Sequence, residues 1–186
     1  MPRVDLFGGA LAVSLSGDWL DASDLRPVPD HQEVWMERGG SNRALVIEML
    51  ELVDSPDAEA AAVHFEEISR SNGAAYSSVL SSAAEAGATP AALRGAGALL
   101  TLHGEQVLGD STRLQVQLRL LRLREQATDL LITLSRPVDA TPNASGKEQA
   151  AAVDDGSAAA AADAEMVTAV MQSLEIHDWG LFGASG

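Results

Sequence analysis

Asp24-Leu25-Arg26-Pro27-Val28-Pro29-Asp30-His31-Gln32-Glu33-Val34-Trp35 decides how the rest of the chain is read. Each of its two prolines holds φ near about −65° and pushes the residue before it towards extended backbone, so no helix forms across the stretch. The spacing predicts a rigid polar loop between two apolar runs that read as strands, with Asp24, Asp30 and Glu33 displayed at its surface. Rigid loops on a scaffold are where binding residues tend to sit, which makes this segment the first candidate for function.

Working outward, Leu11, Val13 and Leu15 alternate with Ala12 and Ser14 as a strand with one face on a core. Trp19 and Leu20 are expected to pack under the loop. Glu33–Glu37 and Ala44–Leu52 flank the Gly-rich Arg38–Asn42 and predict a hairpin. Ser55-Pro56-Asp57 has the form of a helix start, with a capping hydroxyl, proline at the first helical position and acids in the first turn. Ala58, Ala61, Ala62, Phe65 and Ile68 follow at helical spacing, and Asn72-Gly73 supplies the stop.

Ala74–Arg94 is ambiguous, with a short strand near Tyr76–Leu80. Gly97–Leu108 reads as a hairpin turning at His103-Gly104-Glu105. Leu114, Val116, Leu118 and Leu120 alternate with polar residues until Leu121 and Leu123 take over the apolar role, which predicts a bulge. Asp129–Leu134 is a further strand pairing with this one. Residues 138–162, rich in Ala, Pro, Asn and Ser, read as a flexible insertion in a single domain spanning 1–186. A last helix carries Met166 or Val167, Val170, Met171 and Leu174 on one stripe, and Ile176–Phe182 is expected to tuck against the body. The tally is about six or seven strands and two helices, a layered α/β architecture.

Composition narrows the function. The 186 residues suffice for one domain with a sizeable core. A net charge of −15 argues against nucleic acid and anionic membrane surfaces, and favours a basic partner. With no cysteine there is no disulfide or thiolate chemistry. The four histidines fit no zinc spacing, and no phosphate-cradling glycine loop or serine elbow occurs. No cofactor is expected. The apolar runs are too short to span a membrane and the N-terminus has no leader pattern, so a soluble intracellular protein is expected. The loop carboxylates stay open to three readings: an acid/base site using Asp21, Asp24 or Asp30, a hard-cation site, or a docking patch.

Leu6-Phe7-Gly8-Gly9-Ala10, Asp21-Ala22-Ser23-Asp24-Leu25-Arg26 and Val28-Pro29-Asp30-His31-Gln32-Glu33-Val34 together resemble the Ran guanine nucleotide release factors, the Mog family. The similarity continues through Val46–Glu51, His64–Glu67, Thr128–Ile132 and Leu181-Phe182-Gly183. The resemblance implies an α/β/α sandwich with a central, largely antiparallel sheet. It implies a monomer that binds the GTPase Ran, promotes nucleotide release without covalent chemistry, and works in the nucleus and cytoplasm. It also implies that Asp30 and Glu33 contact Ran, with Asp24, Arg26, His31 and Gln32 beside them. The alternative is an adaptor of the same fold without exchange activity.

Overall fold

The computed structural model describes residues 2–85, 93, 97–138 and 153–182. The strands are β1 (Arg3–Leu6), β2 (Leu11–Ser14), β3 (Trp19–Asp21), β4 (Gln32–Glu37), β5 (Ala44–Glu51), β6 (Ala74–Ala84), β7 (Gly97–Leu108), β8 (Arg113–Leu123), β9 (Thr128–Val138) and β10 (Glu175–Ile176). The helices are α1 (Asp57–Ser71) and α2 (Val153–Gln172). A seven-stranded antiparallel sheet runs β3-β4-β5-β9-β8-β7-β6, and a small second sheet runs β1-β2-β10.

The large sheet is covered on both faces. Ala60, Ala61 and Phe65 of α1 pack on Leu100, Leu102, Val116, Leu118, Leu120 and Leu131. On the other face, Val167, Val170 and Met171 of α2, with Leu6, Leu11 and Val13 of the small sheet, pack on Leu45, Ile47, Leu121, Leu123, Leu130 and Ile132. Two apolar layers on one sheet explain the hydrophobic character of β8 and β9. Where both faces are covered, adjacent residues are apolar together, as at Leu120-Leu121 of β8 and Leu130-Leu131-Ile132 of β9.

That double cover corrects one expectation. The register of β8 with both neighbours runs unbroken through Leu120 and Leu121, so no bulge lies there. Even-numbered Val116, Leu118 and Leu120 face α1, and odd-numbered Leu121 and Leu123 face the other core. The apparent slip is a change in which face is apolar. On the α2 side, Gln115, Gln117 and Arg119 precede Leu121, and Arg119 reaches α2 by donating to Thr168 Oγ1 at 2.8 Å.

Residues Gly97–Leu108 form one strand, not a hairpin. Gly104 is there for a close approach. A Cβ at this position would lie 2.5 Å from Cζ of Phe65, so the glycine admits the ring that anchors α1. Gly104→Ala should therefore lower stability by about 1–3 kcal/mol through overpacking. Thermal unfolding checks it, and adding Phe65→Leu should recover part of the loss.

The start of α1 also differs from the sequence expectation. Pro56 takes the cap position and accepts from Glu59 N and Ala60 N at 3.0 and 3.1 Å, while Ser55 Oγ is buried without a hydrogen-bond partner. The helix ends as expected, with Asn72 N donating to Ile68 O and Gly73 at φ 67. β1 and the separate small sheet were not anticipated. β6 extends the short strand expected at Tyr76–Leu80 to 11 residues. α2 begins at Val153, so 153–162 are helical rather than part of an insertion; the remainder, 139–152, lies outside the described residues. β10 and the 3-10 turn Trp179–Phe182 tuck the C-terminal segment onto β2 and the core, as expected.

Candidate partner-docking site

The loop after β3 is fixed by short local bonds. The Asp21 carboxylate accepts from Ser23 N at 2.8 Å, and Leu25 N and Arg26 N both donate to Ala22 O at 3.0 Å, closing the turn Ala22–Asp24. Gln32 N donates to Pro29 O at 2.9 Å, and Met49 N donates to His31 O at 3.0 Å, tying the far end to β5. Between them the two prolines stiffen the chain. Asp24, Arg26, Asp30 and His31 are exposed on this corner, as is Leu25 at 67%. Neither Asp24 nor Asp30 forms an ion pair among the described residues.

Glu33 and Gln32 do not join them at the surface. Successive strand residues point to opposite faces, and the register places Glu33 opposite core residue Ile47 and Gln32 opposite Glu48. Glu33 is half-buried and its Oε1 accepts from Phe7 N at 2.6 Å. Burial pushes its carboxyl above the usual range, against the lowering effect of that N–H. Phe7, Gly8 and Gly9 all have positive φ (50, 66 and 92°), so Glu33 buttresses a left-handed turn between β1 and β2. The expectation of a displayed Glu33 is corrected: a covered sheet face turns this carboxylate inward.

On the α1 face a trough opens beside the corner. α1 lies over the β7–β8 end of the sheet and leaves β4, β5 and part of β9 uncovered. The resulting recess, about 780 Å³, is lined by Arg26, His31, Val34, Val46, Leu50 and Ile68 among others, with Glu48 in its floor. Glu48 is 6% exposed and accepts from Gln32 Nε2 at 2.9 Å. Burial raises its pKa; the Gln32 bond and the charges of His31 and His64 lower it less. Thr133 Oγ1, also lining the trough, is buried with no hydrogen-bond partner. A second cleft of about 680 Å³ shares His31 and Leu50 with the trough and is lined by Glu51, Leu181 and Phe182. Asp21, Asp24 and Asp30 line neither recess. Among the described residues no cluster of His, Cys, Asp or Glu is placed to hold a metal, and no helix is long and apolar enough to cross a membrane.

Glu48 carries a pH signature. Its folded pKa lies above the ordinary 4.5, so the fold favours the neutral acid. That stability is full below the unfolded pKa and is lost as pH rises through the folded value. Glu48→Gln keeps the neutral shape and the acceptor for Gln32. It is expected to raise the melting temperature by a few degrees near about pH 7, with the gain vanishing near about pH 4. A melting series across that range checks it. Glu48 was not among the site residues read from the loop; its one signal is a carboxylate in the middle of the apolar run Leu45–Leu50.

The walls of the site are held by buried charge. Arg122, 1% exposed, donates through Nε to Asp129 Oδ1 at 3.1 Å and through Nη1 to Ser55 O and Asp57 Oδ1 at 2.8 and 2.9 Å. Asp129, fully buried, also accepts from Val53 N at 3.1 Å and bonds His64 Nε2 at 2.8 Å. The β5–α1 connection is thereby locked to the β8–β9 end. On the opposite face Arg43 joins Glu37 and Asp163, and Arg136 Nε reaches Asp163 Oδ2 at 2.6 Å, pinning α2 to the hairpin β4–β5. Arg43 is the main reason the Glu37 carboxyl sits below its usual range.

Comparison with known proteins places the chain in a family. The family model described as Ran-interacting Mog1 protein matches residues 4–137. The chain is 35% identical over 188 residues to the Ran guanine nucleotide release factor of Homo sapiens, covering 96% of this chain and 95% of that protein. It is 44% identical over 72 residues, 38% of each chain, to the nuclear import protein mog1 of Schizosaccharomyces pombe. The solved structure of the Saccharomyces cerevisiae Ran-binding protein Mog1p aligns with a TM-score of 0.74 at 22% identity, covering 97% of both chains, and shares the fold. With a proline-stiffened acidic corner, a family model spanning most of the chain and a relative matched end to end, this protein belongs to the Ran-interacting Mog1 family.

Proposed function

We propose that this protein binds Ran through the acidic corner and the adjoining trough and promotes release of Ran's guanine nucleotide, acting as a regulator in nuclear transport, in the nucleus and cytoplasm, without covalent chemistry of its own. The observation that carries the reading is the pair of exposed carboxylates Asp24 and Asp30 beside a recess whose floor holds the desolvated Glu48. A basic side chain laid in the trough would run its stem along Val34, Val46 and Ile68 and bring its charge to Glu48. Binding would then draw that carboxyl down to its charged form.

A release factor must hold empty Ran more tightly than loaded Ran, because a ligand shifts an equilibrium only by its differential affinity. Carboxylates placed at the phosphate-binding end of the GTPase would repel phosphate and compete for its lysine or magnesium. The test loads Ran with a fluorescent guanine nucleotide and follows dissociation with and without this protein. Accelerated loss that saturates with concentration supports the reading. Binding with an unchanged dissociation rate would instead make the chain an adaptor. A second measurement reports on the trough: Glu48→Gln should weaken binding while making the protein itself more stable, the pattern expected where a group is kept for function at a cost in stability.

A further inference from the structure

Two buried polar side chains in the trough lack the partners that burial normally demands. Thr133 is 3% exposed and its Oγ1 has no hydrogen-bond partner, whereas buried hydroxyls are as a rule bonded. Glu48 is 6% exposed, yet it forms no ion pair among the described residues. Its Oε2 accepts from Gln32 Nε2, and among the described residues nothing donates to Oε1. The chain's own cations are placed elsewhere. His64 spends Nε2 on Asp129 at 2.8 Å, and Arg26 is exposed at the rim.

The sheet register brings the two acceptors together. Thr133 lies opposite Val46, and Glu48 opposite Leu131, so Thr133 and Glu48 are diagonal neighbours on the α1 face of β5 and β9. Diagonal positions stand about 7 Å apart, which long side chains cross. One bridging cation can therefore meet both. Its form is constrained: a guanidinium presents a rigid planar fork suited to two free carboxylate oxygens. With Oε2 held by Gln32, the fork would carry unpaired donors into an apolar recess, at a cost. An ammonium is a compact charge with three rotatable donors, and its four-carbon stem can lie along Val34, Val46 and Ile68.

We propose that Glu48 Oε1 and Thr133 Oγ1 together seat the ammonium of a lysine side chain, with Thr133 as the residue that favours lysine over arginine; that this lysine belongs to Ran rests on the docking role proposed above. Glu48 supplies the charge and Thr133 the second acceptor. Gln32 fixes the carboxylate so that only one oxygen faces the newcomer.

The test titrates the full chain with Nα-acetyl-lysine amide and, separately, Nα-acetyl-arginine amide at constant ionic strength, following backbone amide shifts by NMR. The lysine probe is expected to bind with a dissociation constant of about 1–10 mM, at least about fivefold tighter than the arginine probe, with shifts centred on β5 and β9. Thr133→Val should abolish that preference. The same variant should melt no lower than the unmodified chain, because it replaces a buried hydroxyl that has no partner; a purely structural role for Thr133 would not weaken binding while sparing stability. Failure of both probes to bind, equal binding of the two, or a preference that survives Thr133→Val would overturn the seat, whether or not nucleotide release from Ran is accelerated. Thr133→Val should also weaken Ran binding by about threefold or more. Selective lysine binding with Ran affinity unchanged in Thr133→Val would overturn Ran's lysine as the occupant, and leave both the seat and the release activity standing.

Discussion

Replacing Asp129 by alanine is expected to lower the free energy of unfolding by about 3–5 kcal/mol, the loss typical of removing one partner from a buried ion pair. The reason is local. Arg122 is 1% exposed and Asp129 fully buried, so the guanidinium cannot turn to water when its partner is cut away. Val53 N and His64 Nε2 lose the same carboxylate, and each orphaned buried group adds its own desolvation penalty. Asp57 remains to Arg122, but its side chain is 36% exposed and also serves Arg124. Urea unfolding measures the effect. Arg122→Met combined with Asp129→Asn should lose less than the two single changes summed, by more than about 1 kcal/mol, because the groups act as one network. A loss below about 1 kcal/mol for Asp129→Ala would mean that Asp57 and the backbone carbonyls hold Arg122 by themselves.

Charge reversal at the corner is expected to act on binding rather than on folding. Asp24→Lys with Asp30→Lys changes two exposed side chains that make no ion pair among the described residues, so the melting temperature should stay within a degree or so. Association with Ran is expected to slow by about tenfold or more, with a flatter dependence on salt, because the acidic field that steers a basic surface is inverted. Nucleotide release should fall with it. If both survive while the fold is intact, the corner is not the docking site. Glu33 belongs outside this experiment. Glu33→Lys removes the acceptor for Phe7 N and sets a cation against the core, so a loss of binding there would report damage to the β1–β2 turn. Glu33→Gln keeps an acceptor and should leave both fold and binding near their original values.

Reading the chain as sequence identified most of the elements, because their signals are local. Pro27 and Pro29 exclude a helix through backbone geometry alone. Asn72-Gly73 stops α1 through glycine's positive φ, and the Val167/Val170/Met171/Leu174 stripe is visible from spacing. Two of the misreadings share one cause, which is that a second layer lies across each face of the sheet. Gly104 resembles a turn residue until the Phe65 ring above it is known. Leu121 resembles a bulge until α2 and the small sheet are seen to bury the odd-numbered face.

For the site, the sequence alone determined that a stiff, carboxylate-bearing loop exists and that Asp24 and Asp30 belong to it. Only the tertiary structure decided that Glu33 turns inward to Phe7 and that Glu48 lies desolvated in the floor of a trough. Proline and glycine act within a few residues, so their consequences are written along the chain. Burial is a property of what arrives from elsewhere: the same glutamate is a surface charge or a buttress according to which strand pairs beside it and which layer covers it.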